Sequence, residues 1–229
     1  MASLGDVVSA LVLTFVSLFP VVNPIGDAPI FLNLTRQYPE STRKLLARKV
    51  AWYGFTLLAI SMLFGSEILA FFGVTLPVVQ IAGGLVLTAT GWHLLNQPLD
   101  AASATREPTS LQGALEEAFY PLTLPITVGP GCISIAVALG AHLRSLSGSG
   151  WEHGYPVRLA GAVVGMALVC LLVAVCYGNA DRLAGRLGQT GTTIVIRLSA
   201  FILIAIGIEI AWTGLSAELL LVLERARTS

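Results

Sequence analysis

Two short stretches place proline, glycine and polar side chains inside otherwise apolar sequence. The first runs from Asn23 to Asp27 and the second from Thr127 to Gly131. Pro24 and Pro130 each remove a backbone donor, and the neighbouring glycines permit unusual dihedral angles. Both stretches therefore predict a helix broken into two halves with unwound backbone between them. In a bilayer, the freed backbone groups must be buried in protein or line a wet cavity.

Such breaks have a chemical consequence and a simpler alternative. Each new half-helix exposes N–H groups and a positive dipole end, which attract an anionic group such as an amino-acid carboxylate. Alternatively, proline and glycine only kink the helices for packing. Two breaks in equivalent positions favour a binding site over a packing device.

The polar residues near the breaks supply candidate roles. Asn23 offers an amide to a substrate, or satisfies the backbone freed at the break. Asp27 is either a helix N-cap or a group that binds a proton or Na⁺ and couples transport. Glu209 is a second candidate for the coupling ion. The hydroxyls near the breaks either extend a polar lining or bond back to their own helix. The candidate substrate-binding residues are Asn23, Pro24, Gly26, Gly129, Pro130, Gly131, Thr123, Thr127 and Ser17.

The sequence offers little support for catalysis or for a bound metal. It contains no HExxH motif, no GxSxG elbow, no paired carboxylates and no P-loop, which argues against an enzyme and against an ATP-driven transporter. The cysteines lie in apolar stretches without metal-ligand spacing and are predicted to be buried small side chains: Cys132, Cys170 and Cys176. We therefore expect no cofactor, although H⁺ or Na⁺ could be coupled to transport.

The composition indicates which kind of structure holds these residues in place. Apolar residues make up 55% of the 229 residues and charged residues only 11%, whereas soluble domains carry about 25% charged residues. Bilayer-spanning helices need about 20 mostly apolar residues. The chain is therefore predicted to be one integral membrane domain, 1–229, with the lipid bilayer and a small-molecule substrate as partners. Six uncharged or nearly uncharged stretches predict its helices: 7–26 (continuing to 34), 50–66, 68–99, 118–143, 159–180 and 193–215.

Charge distribution predicts orientation and location. The connections on one side hold eight Lys and Arg residues, five of them between residues 36 and 49, and those on the other side hold four. The positive-inside rule then places the 36–49 loop in the cytoplasm and both termini outside. A bacterial or archaeal cell membrane is the simplest location. The formal net charge of zero gives no basic patch for nucleic acid, and a homo-oligomer is left open.

The chain also contains a weak internal repeat. Superposing Asn23-Pro24 on Gly129-Pro130 requires an offset of 106 residues and aligns Ser17 with Thr123, whereas Gly91 and Gly207 are 116 residues apart. These offsets predict two three-helix halves, about 5–97 and 115–217. Because three is odd, the second half must be inverted relative to the first, a recurring plan of secondary transporters.

The motifs resemble those of a known family. The stretch from Asn23 to Thr35 is similar to the NPIGxxPxFLxLT signature of the MarC family of inner-membrane proteins. Pro121-Leu122, Pro125 and Gly129-Pro130-Gly131 resemble its PLxxPxxxGPGAI motif, and Ile81-Ala82-Gly83-Gly84 resembles its IAGG. Three positions depart from the usual residues: Cys132 for Ala, His93 for Asp and Glu209 for Gln. The resemblance implies six helices, with some members transporting small neutral amino acids.

Taken together, these features predict a secondary transporter of glycine- or alanine-sized neutral amino acids. One repeat would rock against the other around the paired breaks, which gives alternating access to a single site. The alternatives are a channel or exporter for another small solute, and a membrane protein that transports nothing.

Overall fold

A computed structural model describes residues 4–96, 111–146 and 154–228. These residues form helices and no strands. The helices are α1 (Leu4–Val22), α2 (Pro24–Leu34), α3 (Glu40–Phe71), α4 (Leu76–Asn96), α5 (Leu111–Glu117), a π-helical segment (Ala118–Thr127), α6 (Pro130–Ser145), α7 (Tyr155–Gly178) and α8 (Ala180–Thr228).

The helices are long and apolar enough to cross a bilayer five times, or six times if a bent pair is counted. Within the described ranges, Leu4–Leu34, α3, α4, α7 and Ala180–Leu220 each qualify alone. The pair formed by Gln112–Thr127 and α6 qualifies together and is bent by 72°. The prediction of an all-α membrane protein is therefore confirmed.

The helices extend beyond the uncharged stretches from which they were predicted. The second begins at Glu40 instead of residue 50, and the last begins at Ala180 instead of residue 193. Charged side chains such as Lys44 lie near the helix ends. They do not interrupt the helix there, because their charged groups reach polar surroundings. Counting charges therefore locates the apolar part of a helix and underestimates its length. The connection predicted between the two repeats, including Arg106, lies largely in residues 97–110, outside the described residues.

The helices pack in a definite set of pairs. The most extensive packing joins α4 with α8, followed by α1 with α7 and by α3 with α6 and α7. Small residues let α4 and α8 approach closely. A Cβ atom added to Gly91 would lie 2.8 Å from the carbonyl oxygen of Ala200, and one added to Gly207 would lie 2.7 Å from that of Gly84. Large apolar side chains such as Phe64 remain exposed, as lipid-facing helices require.

Ion pairs lie at both ends of the bundle. At the end that carries the start of α1 and the end of α6, Arg158 pairs with Asp6 at 3.0 Å and Arg144 pairs with Glu67. At the other end, Arg43 pairs with Asp181 at 2.5 Å.

Candidate functional site

Asn23 interrupts the first membrane segment over a single residue. Its backbone is left-handed (φ 49°, ψ 53°), and it separates α1 from α2, which begins at Pro24. Backbone hydrogen bonds continue on both sides, from Asn23 N–H to the Phe19 carbonyl and from Asp27 N–H to the Asn23 carbonyl, both 3.0 Å. The backbone here is therefore less unwound than the sequence predicts.

The Asn23 side chain acts locally as a helix cap. Its Oδ1 accepts a hydrogen bond from the Gly26 backbone N–H at 3.2 Å, and its Nδ2 donates to Asp27 Oδ1 at 3.3 Å. Asp27 is only 6% exposed. A side chain at Gly26 would collide with Asn23 and with the hydroxyl of Ser199 on α8. The first motif is thus a closely packed cap that contacts α8.

The second motif bends the chain strongly. Gly129 has extended backbone (φ −87°, ψ 178°), and Pro130 starts α6. In the preceding π-helical segment, Thr123 Oγ1 donates to the Ala118 carbonyl at 2.6 Å, and Thr127 Oγ1 donates to the Leu122 carbonyl at 2.7 Å. Both hydroxyls are therefore engaged by their own segment.

Tyr177 of α7 connects the two motifs. Its ring stacks on Phe31 of α2 with centroids 4.5 Å apart, and its hydroxyl lies 2.9 Å from Thr127 Oγ1. Residues from both motifs therefore share one region of the protein interior.

A cavity of about 350 Å³ lies between α1, α4, α6 and α8. Ser17 and Glu209 line it, whereas the other predicted site residues are absent from its described lining. Ser134, in the first helical turns of α6, connects the cavity with the second motif, because its hydroxyl donates to the Gly131 carbonyl at 2.9 Å. The lining consists of Leu13, Ser17, Gln80, Ser134, Ile135, Ala138, Leu139, His142, Glu209, Ile210 and Thr213.

The position of the cavity follows from the helices that line it. His142 is near the end of α6, and Gln80 is near the start of α4. Both positions belong to the end of the bundle that carries the start of α1, which we call the cavity face. The other end, which carries Arg43 and Asp181, is called the opposite face. His142 and Glu209 are exposed, so the cavity opens at the surface of the helix bundle.

The chemistry of the lining is that of a site for a small polar solute. Glu209 is the one carboxylate among its described residues, His142 is the one imidazole, and no Lys or Arg takes part. An ionisable residue within a membrane segment usually faces a cavity and serves a function. Glu209 can accept a hydrogen bond from an ammonium group or bind a small cation. Gln80 and the three hydroxyl residues add polar groups on an otherwise apolar surface.

Several of these residues were not predicted as site residues. Gln80, Ser134, His142 and Thr213 are single polar residues within apolar segments, and Tyr177 ends the fifth segment. That isolation was their signal in the sequence. It does not reveal which helix face they occupy, because inward and lipid-facing positions alternate around a helix that is apolar on all sides.

Known proteins resemble nearly the whole chain. The family profile described as MarC family integral membrane protein matches residues 8–219. The UPF0056 membrane protein YvbG of Bacillus subtilis is 31% identical over 209 residues, which cover 90% of this chain and 94% of the relative. The UPF0056 membrane protein MJ1677 of Methanocaldococcus jannaschii is 30% identical over 210 residues, covering 91% and 97%. The UPF0056 membrane protein YhcE of Escherichia coli is 29% identical over 203 residues, covering 88% and 89%. No solved structure matches.

Proposed function

Since the chain belongs to the MarC family of integral membrane proteins, which occurs in bacteria and archaea, we propose that it is a secondary transporter of small neutral amino acids. The relatives' names state no activity, so the support comes from the structure. The observation that carries the proposal is the cavity with polar groups in its lining, one of which, Ser134, is hydrogen-bonded to Gly131 of the second motif.

The packing pattern supports an inverted repeat. Under the 106- and 116-residue offsets, α2 corresponds to α6, α3 to α7, and α4 to α8. Helix α2 packs on α8, and its counterpart α6 packs on α4. Similarly, α1 packs on α7, and its counterpart, the π-helical segment, packs on α3. An internal two-fold axis that relates the two halves would produce both of these matching pairs of contacts.

Contacts between α4 and α8 support the same axis at atomic detail. A Cβ at Gly91 would meet the Ala200 carbonyl oxygen and, at 3.0 Å, the backbone nitrogen of Ile204. A Cβ at Gly207 would meet the carbonyl oxygen of Gly84 and the backbone nitrogen of Thr88, both at 2.7 Å. Within the sequence, Gly91 and Gly207, Ala200 and Gly84, and Ile204 and Thr88 are each separated by 116 residues.

The cavity suits a small zwitterion in size and in charge. Its volume lies at the lower end of the range of about 300–1,000 Å³ that is typical of ligand pockets. We assign the solute ammonium group to the Glu209 carboxylate. The solute carboxylate is assigned to the Gln80 amide and the Ser17 hydroxyl, which can donate hydrogen bonds within the same lining. Because the lining lacks Lys and Arg, an anionic solute would meet an uncompensated carboxylate.

The remaining predicted roles form part of the same proposal. Asp27, capped by Asn23, and Glu209 are the two candidate groups for coupling to H⁺ or Na⁺. The cavity face is assigned to the outside of the cell, together with both termini. The protein would act without a cofactor and without catalysing a reaction.

Counterflow in proteoliposomes tests the proposal. Vesicles loaded with unlabelled alanine or glycine should accumulate the labelled compound from outside. Glu209→Gln should reduce this exchange about tenfold or more, because a hydrogen bond to a charged group contributes about 1.5–3 kcal/mol. The matched control is Glu40→Gln, which neutralises an exposed carboxylate that pairs with Lys44 at 2.6 Å at the opposite face.

Each result has a clear meaning. Exchange that Glu209→Gln lowers and Glu40→Gln leaves unchanged would support the proposed carrier and its site. Absence of exchange by folded, inserted protein would reject these amino acids as substrates. Non-saturable flux without counterflow would identify a channel instead.

A further inference from the structure

The helix packing divides the described residues into two bodies that differ from the two repeats. Helices α4 and α8 pack on each other more extensively than on any other helix, and we call this pair the arm. Helices α1, α3, α6 and α7 pack among themselves, and we call them, together with the π-helical segment that packs on α3, the main body. Helix α2 packs on both α8 and α7, and it is counted with the main body because its counterpart α6 belongs there. The internal axis exchanges α4 with α8, so it maps the arm onto itself and the main body onto itself.

The cavity lies at the boundary between arm and main body. Gln80 and Glu209 come from the arm, whereas Ser17 and Ser134 come from the main body. A relative movement of the two bodies would therefore change the volume of this cavity directly. It would also move the same two bodies apart or closer together at the opposite face.

The side-chain ion pairs at the two faces join different parts of the bundle. At the cavity face, the pairs formed by Arg158 and by Arg144 join helices within the main body. At the opposite face, Arg43 of α3 pairs with Asp181 of α8 and so connects main body and arm at 2.5 Å. Arg43 also donates to the Tyr38 carbonyl at 2.7 Å, which fixes its guanidinium.

The first segment of α8, which carries Asp181, is separated from the rest of the arm by a kink. Gly188 interrupts α8 with φ 65°, a left-handed conformation that favours glycine. Asp181 precedes this residue, whereas the cavity-lining Glu209 follows it. The Arg43–Asp181 pair therefore holds the arm through this first segment of α8.

The internal axis predicts what the opposite face would expose. Under the repeat offsets of 106 and 116 residues, Ser17 corresponds to Thr123, Ala138 to Leu32 and Glu209 to His93. Ser17 and Ala138 are partly exposed in the cavity. Their counterparts Thr123 and Leu32 are 0% and 9% exposed. The counterpart of the cavity is therefore closed at these two residues, whereas the third counterpart, His93, is exposed, as Glu209 is.

From these observations, we infer a second solute cavity, lined by Thr123, Leu32 and His93, that opens at the opposite face when the arm rocks against the main body. The Arg43–Asp181 pair is the latch that keeps it closed in the present structure. This inference rests on the proposed transport function and extends it: the moving parts are arm and main body, each built from both repeats. The solute it admits is the same small zwitterion.

Thiol accessibility tests the inference without requiring transport. In a background with the native cysteines replaced by alanine, a thiol is placed at Leu32→Cys or at Ala138→Cys. A membrane-impermeant maleimide is applied separately to each face of oriented vesicles. Asp181→Asn should raise the labelling rate at Leu32→Cys from the opposite face about 1.5-fold to fivefold, and should lower the labelling rate at Ala138→Cys from the cavity face. The range corresponds to loss of one partly exposed ion pair.

Two controls separate movement from damage. Asp6→Asn breaks the pair with Arg158 inside the main body, and it should change neither rate. Exchanging the latch charges by Arg43→Glu with Asp181→Arg should restore low labelling at Leu32→Cys, which a misfolded protein would not do.

The outcomes also distinguish this inference from the proposed substrate. Reciprocal labelling changes without alanine or glycine exchange would uphold the two cavities and reject the substrate assignment. Exchange with unchanged labelling in the Asp181→Asn variant would overturn the latch and the second cavity. Labelling that rises at both positions together would also overturn the inference, because it indicates general loosening.

Discussion

The contact between α4 and α8 permits a matched pair of substitutions, Gly91→Ala and Gly207→Ala. An added Cβ at Gly91 would lie 2.8 Å from the Ala200 carbonyl oxygen, and one at Gly207 would lie 2.7 Å from the Gly84 carbonyl oxygen. Both distances are far shorter than the separation of about 3.5–4.0 Å at which non-bonded heavy atoms attract best. Because the obstacle in each case is backbone, the two helices must move apart.

The expected cost follows from this geometry. Forcing an extra carbon into a well-packed contact costs about 1–3 kcal/mol. Alanine has a higher helix propensity than glycine, which returns about 1 kcal/mol. We therefore expect a net loss of up to about 2 kcal/mol for each variant. If the internal axis is real, both variants should be destabilised, since each added Cβ meets the backbone of equivalent positions. The loss should be larger for Gly207→Ala, where the Thr88 hydroxyl is an additional obstacle.

The free energy of unfolding should be measured by denaturant titration in mixed detergent micelles. Gly185→Ala is the matched control, because a Cβ at Gly185 of α8 would meet nothing within 4 Å. This control should be neutral or stabilising, by up to about 1 kcal/mol. Gly91→Ala as stable as Gly185→Ala would refute the close approach of α4 and α8. A loss at one position only would refute their equivalence.

Three further predictions concern the first motif, Tyr177 and orientation. Asn23→Gly should destabilise the protein less than Asn23→Ala in the same titration, because glycine accepts the left-handed backbone whereas alanine loses both that conformation and the cap; equal losses would contradict a role for the backbone. Tyr177→Phe should retain the ring contact with Phe31, lose the hydrogen bond to Thr127 and lower the free energy of unfolding by about 1 kcal/mol. Tyr177→Ala should lower it by about 3–5 kcal/mol, and similar losses for the two variants would show that the ring contributes little. A thiol introduced by Glu40→Cys should react with an impermeant reagent only from the cytoplasmic side of the membrane; reaction from outside would reverse the proposed orientation.

The sequence was sufficient to predict the helical membrane fold because that prediction depends on composition and on the lengths of apolar segments. The structure separates α1 from α2 at Asn23, within the first stretch of proline and glycine. The unwound backbone predicted there is not observed, because the side chain of Asn23 satisfies a neighbouring backbone N–H group and keeps the helical path almost continuous. How far a break opens depends on such a local hydrogen bond, which the residue types allow but do not require.

The cavity was harder to predict than the motifs. Ser17 and Glu209 were identified and do line it, whereas Ser134 and His142 were not. Their inclusion depends on which faces of α1, α4, α6 and α8 meet, a property of tertiary packing. Thr123 is the opposite case. It was predicted as a site residue, but it is fully buried and its hydroxyl is bonded to its own segment. Its proposed role therefore requires the second conformation.

The two motifs also bring arm and main body close together with different residues. At the first motif, Gly26 of the main body meets the hydroxyl of Ser199 from the arm; at the second, Gly83 of the arm meets Ser134 of the main body. Ser199 and Gly83 are separated by the proposed repeat offset of 116 residues, whereas Gly26 and Ser134 are 108 residues apart, two more than the offset of 106. Each contact needs one residue without a side chain, but either body can supply it. Arm and main body can therefore approach closely at both motifs through neighbouring positions, which a comparison at a fixed offset does not detect.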